Sequence, residues 1–255
     1  MSSALAITLH GIYNNEKSLA DYEIFARPYF VSKEMFKNLL GLIVNQRSST
    51  VSNFLHQSTG NWNILTFDDG LVSDFRIAFP ILIENNLSAT FFITVQNIGK
   101  KNYCSVSELR EMIESGMEIG SHGLTHEYLI TMENKDVLKQ IADSKNELEQ
   151  LLGIPILSFA PVGGHFQNRI VNTVKEAGYK CLATMIPGVT THEGEFLKLR
   201  RNHLQNLHDI HYMTDLIDRN RYILARNYLK YQVLTFLRAL IGINNYDFFK
   251  RKLFD

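Results

Sequence analysis

Apolar residues recur along the chain in two alternating rhythms. Short runs rich in β-branched and aromatic residues are each followed by a longer stretch whose apolar positions fall three or four apart. This pattern predicts strands over 4–9, 63–67, 89–95, 117–120, 156–160, 181–185 and 196–200, and helices over 32–44, 73–85, 105–115, 134–152 and 168–177. Punctuation supports these limits. Ser105 lies three residues before Glu108, a capping-box spacing, and Gly116, Gly153 with Pro155, and Gly178 stand where helices should stop. Neither an internal repeat nor a low-complexity linker interrupts the alternation.

Repeated βα units predict a parallel sheet with helices outside it. Seven such units predict an α/β fold in which the sheet closes on itself: a deformed (β/α)7, TIM-like barrel over 1–205, followed by a helical C-terminal extension over 206–255. All C-terminal strand ends of such a barrel share one face, where active sites form. The chemically capable residues follow predicted strands: Asp68 and Asp69, His122 and His126, residues 161–165, and His203. Distant stretches of chain should therefore meet at one mouth.

Thr66-Phe67-Asp68-Asp69-Gly70 sets two carboxylates at a strand end before a residue that permits a sharp exit. Alone, Asp-Asp-Gly is a turn signal. On an extended segment, however, adjacent side chains diverge, so one carboxylate can bind a metal while the other faces the metal's water. Ser121-His122-Gly123-Leu124-Thr125-His126 adds two imidazoles at a spacing that reaches one ion if the segment turns helically. A lone pair of surface histidines is more often inert. Downstream of Asp-Asp-Gly, the pair instead completes a set of one Asp and two His with open positions, suited to Zn, Co, Mn, Ni or Fe.

Taken together, TFDDG and SHGLTH resemble the first two motifs of the polysaccharide deacetylases, the NodB-homology group also called carbohydrate esterase family four. The resemblance runs from about Ala4 to about His203 and includes Phe159-Ala160-Pro161-Val162-Gly163-Gly164, similar to a third motif. It implies Asp68 as general base and Asp69, His122 and His126 as ligands of one divalent metal, Zn first. It also implies the Val162 N–H as oxyanion donor, with Pro161 and Gly163 shaping that wall. Two departures stand out. Ala160 replaces the Arg that orients the base, and the motif carrying a Trp near the sixth strand is missing, since Trp62 lies far upstream. Some members with Ala here are similar to the present C-terminal half, and in them an Arg near the last strand takes over; Arg201 is the first candidate and Arg200 the second. His203 would be the histidine that protonates the leaving amine. His10 would line the same mouth, and His165 is a weaker candidate.

Composition narrows the partners. Twenty-six basic residues balance 26 acidic ones, so no basic excess suggests nucleic acid. Two cysteines build no disulfide framework, and the opening lacks a basic start followed by a long apolar core, which predicts a cytoplasmic protein. Residues 218–255 hold eight Lys/Arg against three Asp/Glu, with Leu229, Val233, Leu237, Leu240 and Ile241 at helical spacing and Phe248, Phe249, Leu253 and Phe254 beyond. These residues predict either helices packed on the barrel or a peripheral contact with the inner face of an anionic membrane. The implied substrate is an acylated amino sugar, a precursor or lipid-linked one in surface-polysaccharide synthesis. Rival readings are a related amidase, deformylase or O-deacetylase on the same scaffold, or a non-catalytic carbohydrate-binding relative. Oligomeric state is not legible.

Overall fold

The structure, a computed structural model, describes every residue except Glu23, Glu193, Asn244, Asp247 and 249–255. Phe249, Leu253 and Phe254 of the predicted C-terminal segment lie outside the described residues. Its centre is a ring of parallel strands. Strand β1 (Ser2–Leu9) pairs along its whole length with β2 (Gly60–Phe67), from Ser2 opposite Gly60 to Leu9 opposite Phe67. Next round the ring come β3 (Thr90–Ile93), β4 (Glu118–Ser121), β5 (Ser158–Phe159) and β6 (Cys181–Ala183), each parallel to the last.

The seventh strand comes in two pieces, and this break closes the barrel. Its first half, β7 (Leu197–Leu199), pairs with β6, whereas its second half, β8 (Arg201–His203), pairs with β1. The strand expected over 196–200 therefore runs on to His203. At the break, Arg200 N donates to Thr190 Oγ1 at 2.7 Å. The short segment Thr190–Thr191 runs antiparallel to Ser3 and Ala4, along the stretch of β1 that precedes its pairing with β8.

Strand alternation explains the two packed layers. In β1, Ala4 and Ala6 turn into the barrel with Ile64, Phe92, Ala160, Cys181, Ala183, Leu197 and Leu199, while Leu5, Ile7 and Leu9 face the surrounding helices. Helix α1 (Lys33–Ile43), capped by Ser32 Oγ on Met35 N, buries Met35, Phe36, Leu39, Leu40 and Ile43. The helix expected over 73–85 is not continuous. A π-helical turn, Asp74–Ala78, precedes α2 (Phe79–Glu84), because Pro80 brings no N–H to an ordinary helical ladder. Helices α3 (Val106–Glu114), with its capping box, α4 (Asn134–Leu152), ended by left-handed Gly153, and α5 (Asn168–Glu176) follow as the periodicity predicts.

The C-terminal extension forms two helices of different character. Helix α6 (Ile210–Ile217) packs against α1 and buries Met213, Leu216 and Ile217 in the main core. Helix α7 (Arg221–Ile241) has no buried residue. Among the described residues, no helix is long and apolar enough to cross a membrane.

Candidate active site

The Asp-Asp-Gly turn leaves β2 at the mouth of the barrel, held by a hydrogen bond from Asp68 N to Leu9 O at 3.1 Å. Asp69 takes a left-handed conformation, φ +80°, followed by Gly70 at φ +77°. The expectation that strand alternation alone separates the two carboxylates is thus corrected. A turn does it, with Asp69 in a conformation that Asp tolerates better than most residues and that is concentrated at functional sites. Asp68 faces inward and is buried; Asp69 faces the mouth.

His122 and His126 approach Asp69 from the loop after β4. Asp69 Oδ1 lies 3.4 Å from His122 Nε2 and 2.9 Å from His126 Nε2. No helical turn brings these rings together, contrary to expectation. The loop bends at Gly123, φ +88°, and Gln140 of α4 braces it. The Gln140 side-chain oxygen accepts from Leu124 N at 3.0 Å and Thr125 N at 2.9 Å, and its amide donates to Thr125 Oγ1 at 2.7 Å.

The donor set fits a divalent cation. His122 Nδ1 lies 2.7 Å from the Ala160 carbonyl oxygen, which can only accept; Nδ1 therefore carries the proton and Nε2 turns a lone pair toward Asp69. Buried Asp69 Oδ1 accepts no well-directed hydrogen bond, and the ligand atoms of Asp69, His122 and His126 all lie within 4.8 Å of one another. An imidazole–carboxylate facial set with open positions suits Zn, Mn, Fe, Co or Ni. Burial alone would raise the Asp69 carboxyl, but the two imidazoles hold it well below the usual carboxylate range. Half-exposed His126 is raised, since Asp69 outweighs the opposing effect of burial.

Beside this set sits a buried ion pair. Arg201 Nη1 donates to Asp68 Oδ1 at 2.6 Å and Nη2 to Oδ2 at 3.0 Å, a two-pronged fit of guanidinium to carboxylate. The fork is itself held. Arg201 Nε donates to Thr184 O at 3.1 Å, Nη1 reaches Thr66 Oγ1 at 3.3 Å, and the guanidinium lies 5.2 Å above the Phe92 ring. Burial pushes the Asp68 carboxyl upward, but Arg201 overrides it and leaves Asp68 lowered and ionised. Arg200, the second candidate, points elsewhere: its guanidinium lies 5.2 Å from the Tyr228 ring on α7.

The remaining candidates line the mouth. The turn Val162–Gly164 follows β5 behind Pro161, and Gly163 adopts φ +65°. There a Cβ would come within 2.8 Å of Tyr128 and 3.0 Å of His165. No backbone carbonyl among the described residues accepts from Val162 N–H. His10 and His203 lie ring to ring at 5.0 Å, and Tyr29 stacks on His203 at 5.2 Å. Burial is the largest influence on both histidines; it lowers His10 despite nearby Asp69 and Asp68, and lowers His203 well below its ordinary value, helped by His10. His203 Nε2 is buried with no hydrogen-bond partner. His203 is therefore a neutral imidazole before substrate arrives, without the second proton that an acid would give up, which bears on its expected part.

A stability prediction follows from this pair. The unfolded chain binds protons on His10 and His203 near the ordinary histidine value of about 6.5, whereas the folded chain resists them. Stability should be full above that value and fall as pH drops below it. Thermal melts between pH 8 and 5 check this; a His203→Asn variant should show a shallower loss, and an equally steep one would contradict the assignment.

The sequence reading missed Gln140 and Tyr29. Gln140 was detectable in principle, as a polar residue on the apolar stripe of α4 with Val137, Ile141, Ser144 and Leu148. Tyr29 lies in the Tyr29-Phe30-Val31-Ser32 stretch that shares the family resemblance, but nothing there marks it as a residue of the mouth.

Comparison with known proteins agrees with this geometry. The family model described as polysaccharide deacetylase matches residues 57–182, which span both Asp69 and the His122/His126 loop. The chain belongs to the polysaccharide deacetylase family. Among curated relatives, a peptidoglycan-N-acetylglucosamine deacetylase of Bacillus cereus is 29% identical over 117 residues, covering 46% of this chain and 53% of that one. A chitin deacetylase of Pestalotiopsis is 26% identical over 161 residues, covering 59% and 54%. The chain thus spans about half the length of these relatives. Among solved structures, IcaB of Ammonifex degensii superposes with a TM-score of 0.71 at 19% identity, over 85% of this chain and 96% of that one. The Streptococcus pyogenes deacetylase PplD gives 0.68 at 19%, over 79% and 92%. These likenesses establish the fold.

Proposed function

We propose that this protein is a metal-dependent N-deacetylase of an acetylated amino sugar, acting on a precursor or lipid-linked sugar. The observation that carries the reading is the convergence of Asp69, His122 and His126 beside an Asp68 kept ionised by Arg201. A divalent ion held by that triad, zinc first, would supply Lewis acidity and make water at the site a far stronger acid, its pKa moving from about 15.7 toward about 7.

The chain's own groups then divide the work. Asp68, fixed in orientation by Arg201, accepts a proton from the attacking water. The Val162 N–H is aimed to donate to the oxygen that becomes negative as the amide carbon turns tetrahedral, a type of contact whose loss costs roughly 10²–10³ in rate. Pro161 and Gly163 shape that wall. His203 or His10 passes a proton to the departing nitrogen. Because both are held neutral, that proton must come from Asp68 or solvent during turnover. The reading includes a cytoplasmic location, which the two free, buried cysteines support.

Acetate release from N-acetylated sugars in polymer, nucleotide-linked and lipid-linked form tests the proposal. Release from the linked precursors, lost in Asp68→Asn, is the expected result. Activity confined to polymer would defeat the precursor assignment; formate release in place of acetate would defeat the deacetylase.

A further inference from the structure

Helix α7 is apolar on two faces. Ile223, Leu224, Asn227, Tyr231, Leu234 and Arg238 are half-buried toward the barrel at intervals of one, three, four, three and four residues. Nearly opposite runs a second stripe: Tyr222, Leu229, Val233, Phe236 and Leu240, which 100° per residue brings onto one line. All five are exposed, Leu229 and Leu240 at 65% and Phe236 at 64%. At about 1.5 Å per residue the stripe extends for roughly 27 Å, an apolar surface of a kind that soluble proteins seldom leave uncovered.

The helix is anchored rather than loosely attached. Asn227 donates to Tyr212 Oη at 2.9 Å, and Tyr228 packs under Arg200 at the strand break that closes the barrel. Lys230 lies near enough to His203 and His208 for its charge to act on both, so α7 passes beside the mouth.

Charge indicates the occupant. Arg221–Ile241 contains Arg221, Arg226, Lys230 and Arg238 and no acidic residue. Exposed Arg226 and Lys230 flank the stripe on one side and exposed Arg221 on the other. A second copy of this helix would bring like charges together along the contact, whereas a negatively charged lipid surface pairs with Arg221, Arg226 and Lys230. An apolar line bordered by cations, on a helix not long and apolar enough to span, is the pattern of a helix lying in the membrane interface.

We propose that the exposed face of α7 docks this protein on an anionic lipid bilayer, with Leu229, Val233, Phe236 and Leu240 inserted among the acyl chains and Arg221, Arg226 and Lys230 against the headgroups. This deepens the lipid-linked substrate reading, since it holds the barrel mouth at the surface where such a substrate resides, but its test is independent of catalysis.

The full chain is sedimented with vesicles of phosphatidylcholine alone and of phosphatidylcholine with phosphatidylglycerol, at low and high salt. Binding to the anionic vesicles is expected, weakened by salt. Phe236→Ser/Leu240→Ser should lose it at least tenfold, while Arg221→Gln/Arg226→Gln should lose about fivefold per cation removed. Circular dichroism melts and acetate release from a soluble acetylated sugar should be unchanged in these variants, separating failure of docking from failure of the deacetylase reading. Equal binding to neutral vesicles overturns the charge argument. Absence of vesicle binding overturns the proposal, whether the protein is then monomeric or forms a dimer that Phe236→Ser/Leu240→Ser dissolves.

Discussion

Chelation of divalent metal is expected to abolish deacetylation by the wild-type chain, with recovery on adding Zn, Co or Mn; His122→Ala and Asp69→Ala should be inactive and not recover. The size of the effect follows from what a cation contributes to amide hydrolysis. Stabilising developing charge is worth several kcal/mol, and at about 1.36 kcal/mol per decade that is roughly a 10³-fold loss or more. The physical basis lies in the triad. Asp69 Oδ1 is buried without a well-directed hydrogen bond, and the Ala160 carbonyl fixes the His122 tautomer that leaves Nε2 open. Without a cation the site holds convergent lone pairs. Metal content measured beside activity separates loss of the ion from loss of the fold. Full turnover by protein shown to be metal-free would end the hydrolase reading in this form.

Replacing Arg201 should have the second-largest effect, and on two observables. Arg201→Ala leaves Asp68 as an unpaired buried carboxylate, and breaking a buried pair in this way costs about 3–5 kcal/mol. Arg201→Lys keeps the charge and is the more useful variant, because an ammonium cannot engage both Asp68 oxygens as the fork does. In wild type, burial raises the Asp68 carboxyl and Arg201 lowers it, with Arg201 prevailing. Weakening that partner lets burial act, so the folded value rises. The acid limb of the pH–rate profile should move to higher pH, and activity at neutral pH should fall by roughly 10²-fold or more, the scale of general-base catalysis. The stability that Asp68 contributes is present above its unfolded value and lost as pH falls through the lowered folded one, so Arg201→Lys should also resist acid less well. A lysine variant with wild-type rate and an unmoved acid limb would exclude Arg201 as the residue that positions the base.

These two predictions differ in how readily the sequence revealed their residues. The metal triad is compact in sequence: Asp69 sits in a five-residue motif and the histidines in a six-residue one. Both follow apolar runs that predict strands, so barrel topology alone brings them to one mouth. The ion pair is different. Asp68 and Arg201 are 133 residues apart, and only the family resemblance, not the two adjacent arginines themselves, ranks Arg201 ahead of Arg200. Arg201 is the one that turns inward because the last strand breaks at Arg200. Beyond the break β8 joins β1, and strand alternation sends Arg201 over Phe92 while Arg200 faces α7. Nothing in a one-dimensional pattern encodes that switch of partners.

Sequence by itself determined the alternation of strands and helices, the closed parallel architecture, the family and the Asp69/His122/His126 set, since period, punctuation and contiguous motifs are local properties that survive without coordinates. Tertiary structure alone decided the left-handed turn that separates Asp68 from Asp69, the Gln140 brace under the histidine loop, the two-pronged seating of Arg201 on Asp68, and the exposure of one face of α7. Each of these depends on which groups end up adjacent after the ring has closed, and hydrogen bonding, burial and charge pairing across that ring act between residues whose separation along the chain carries no signal.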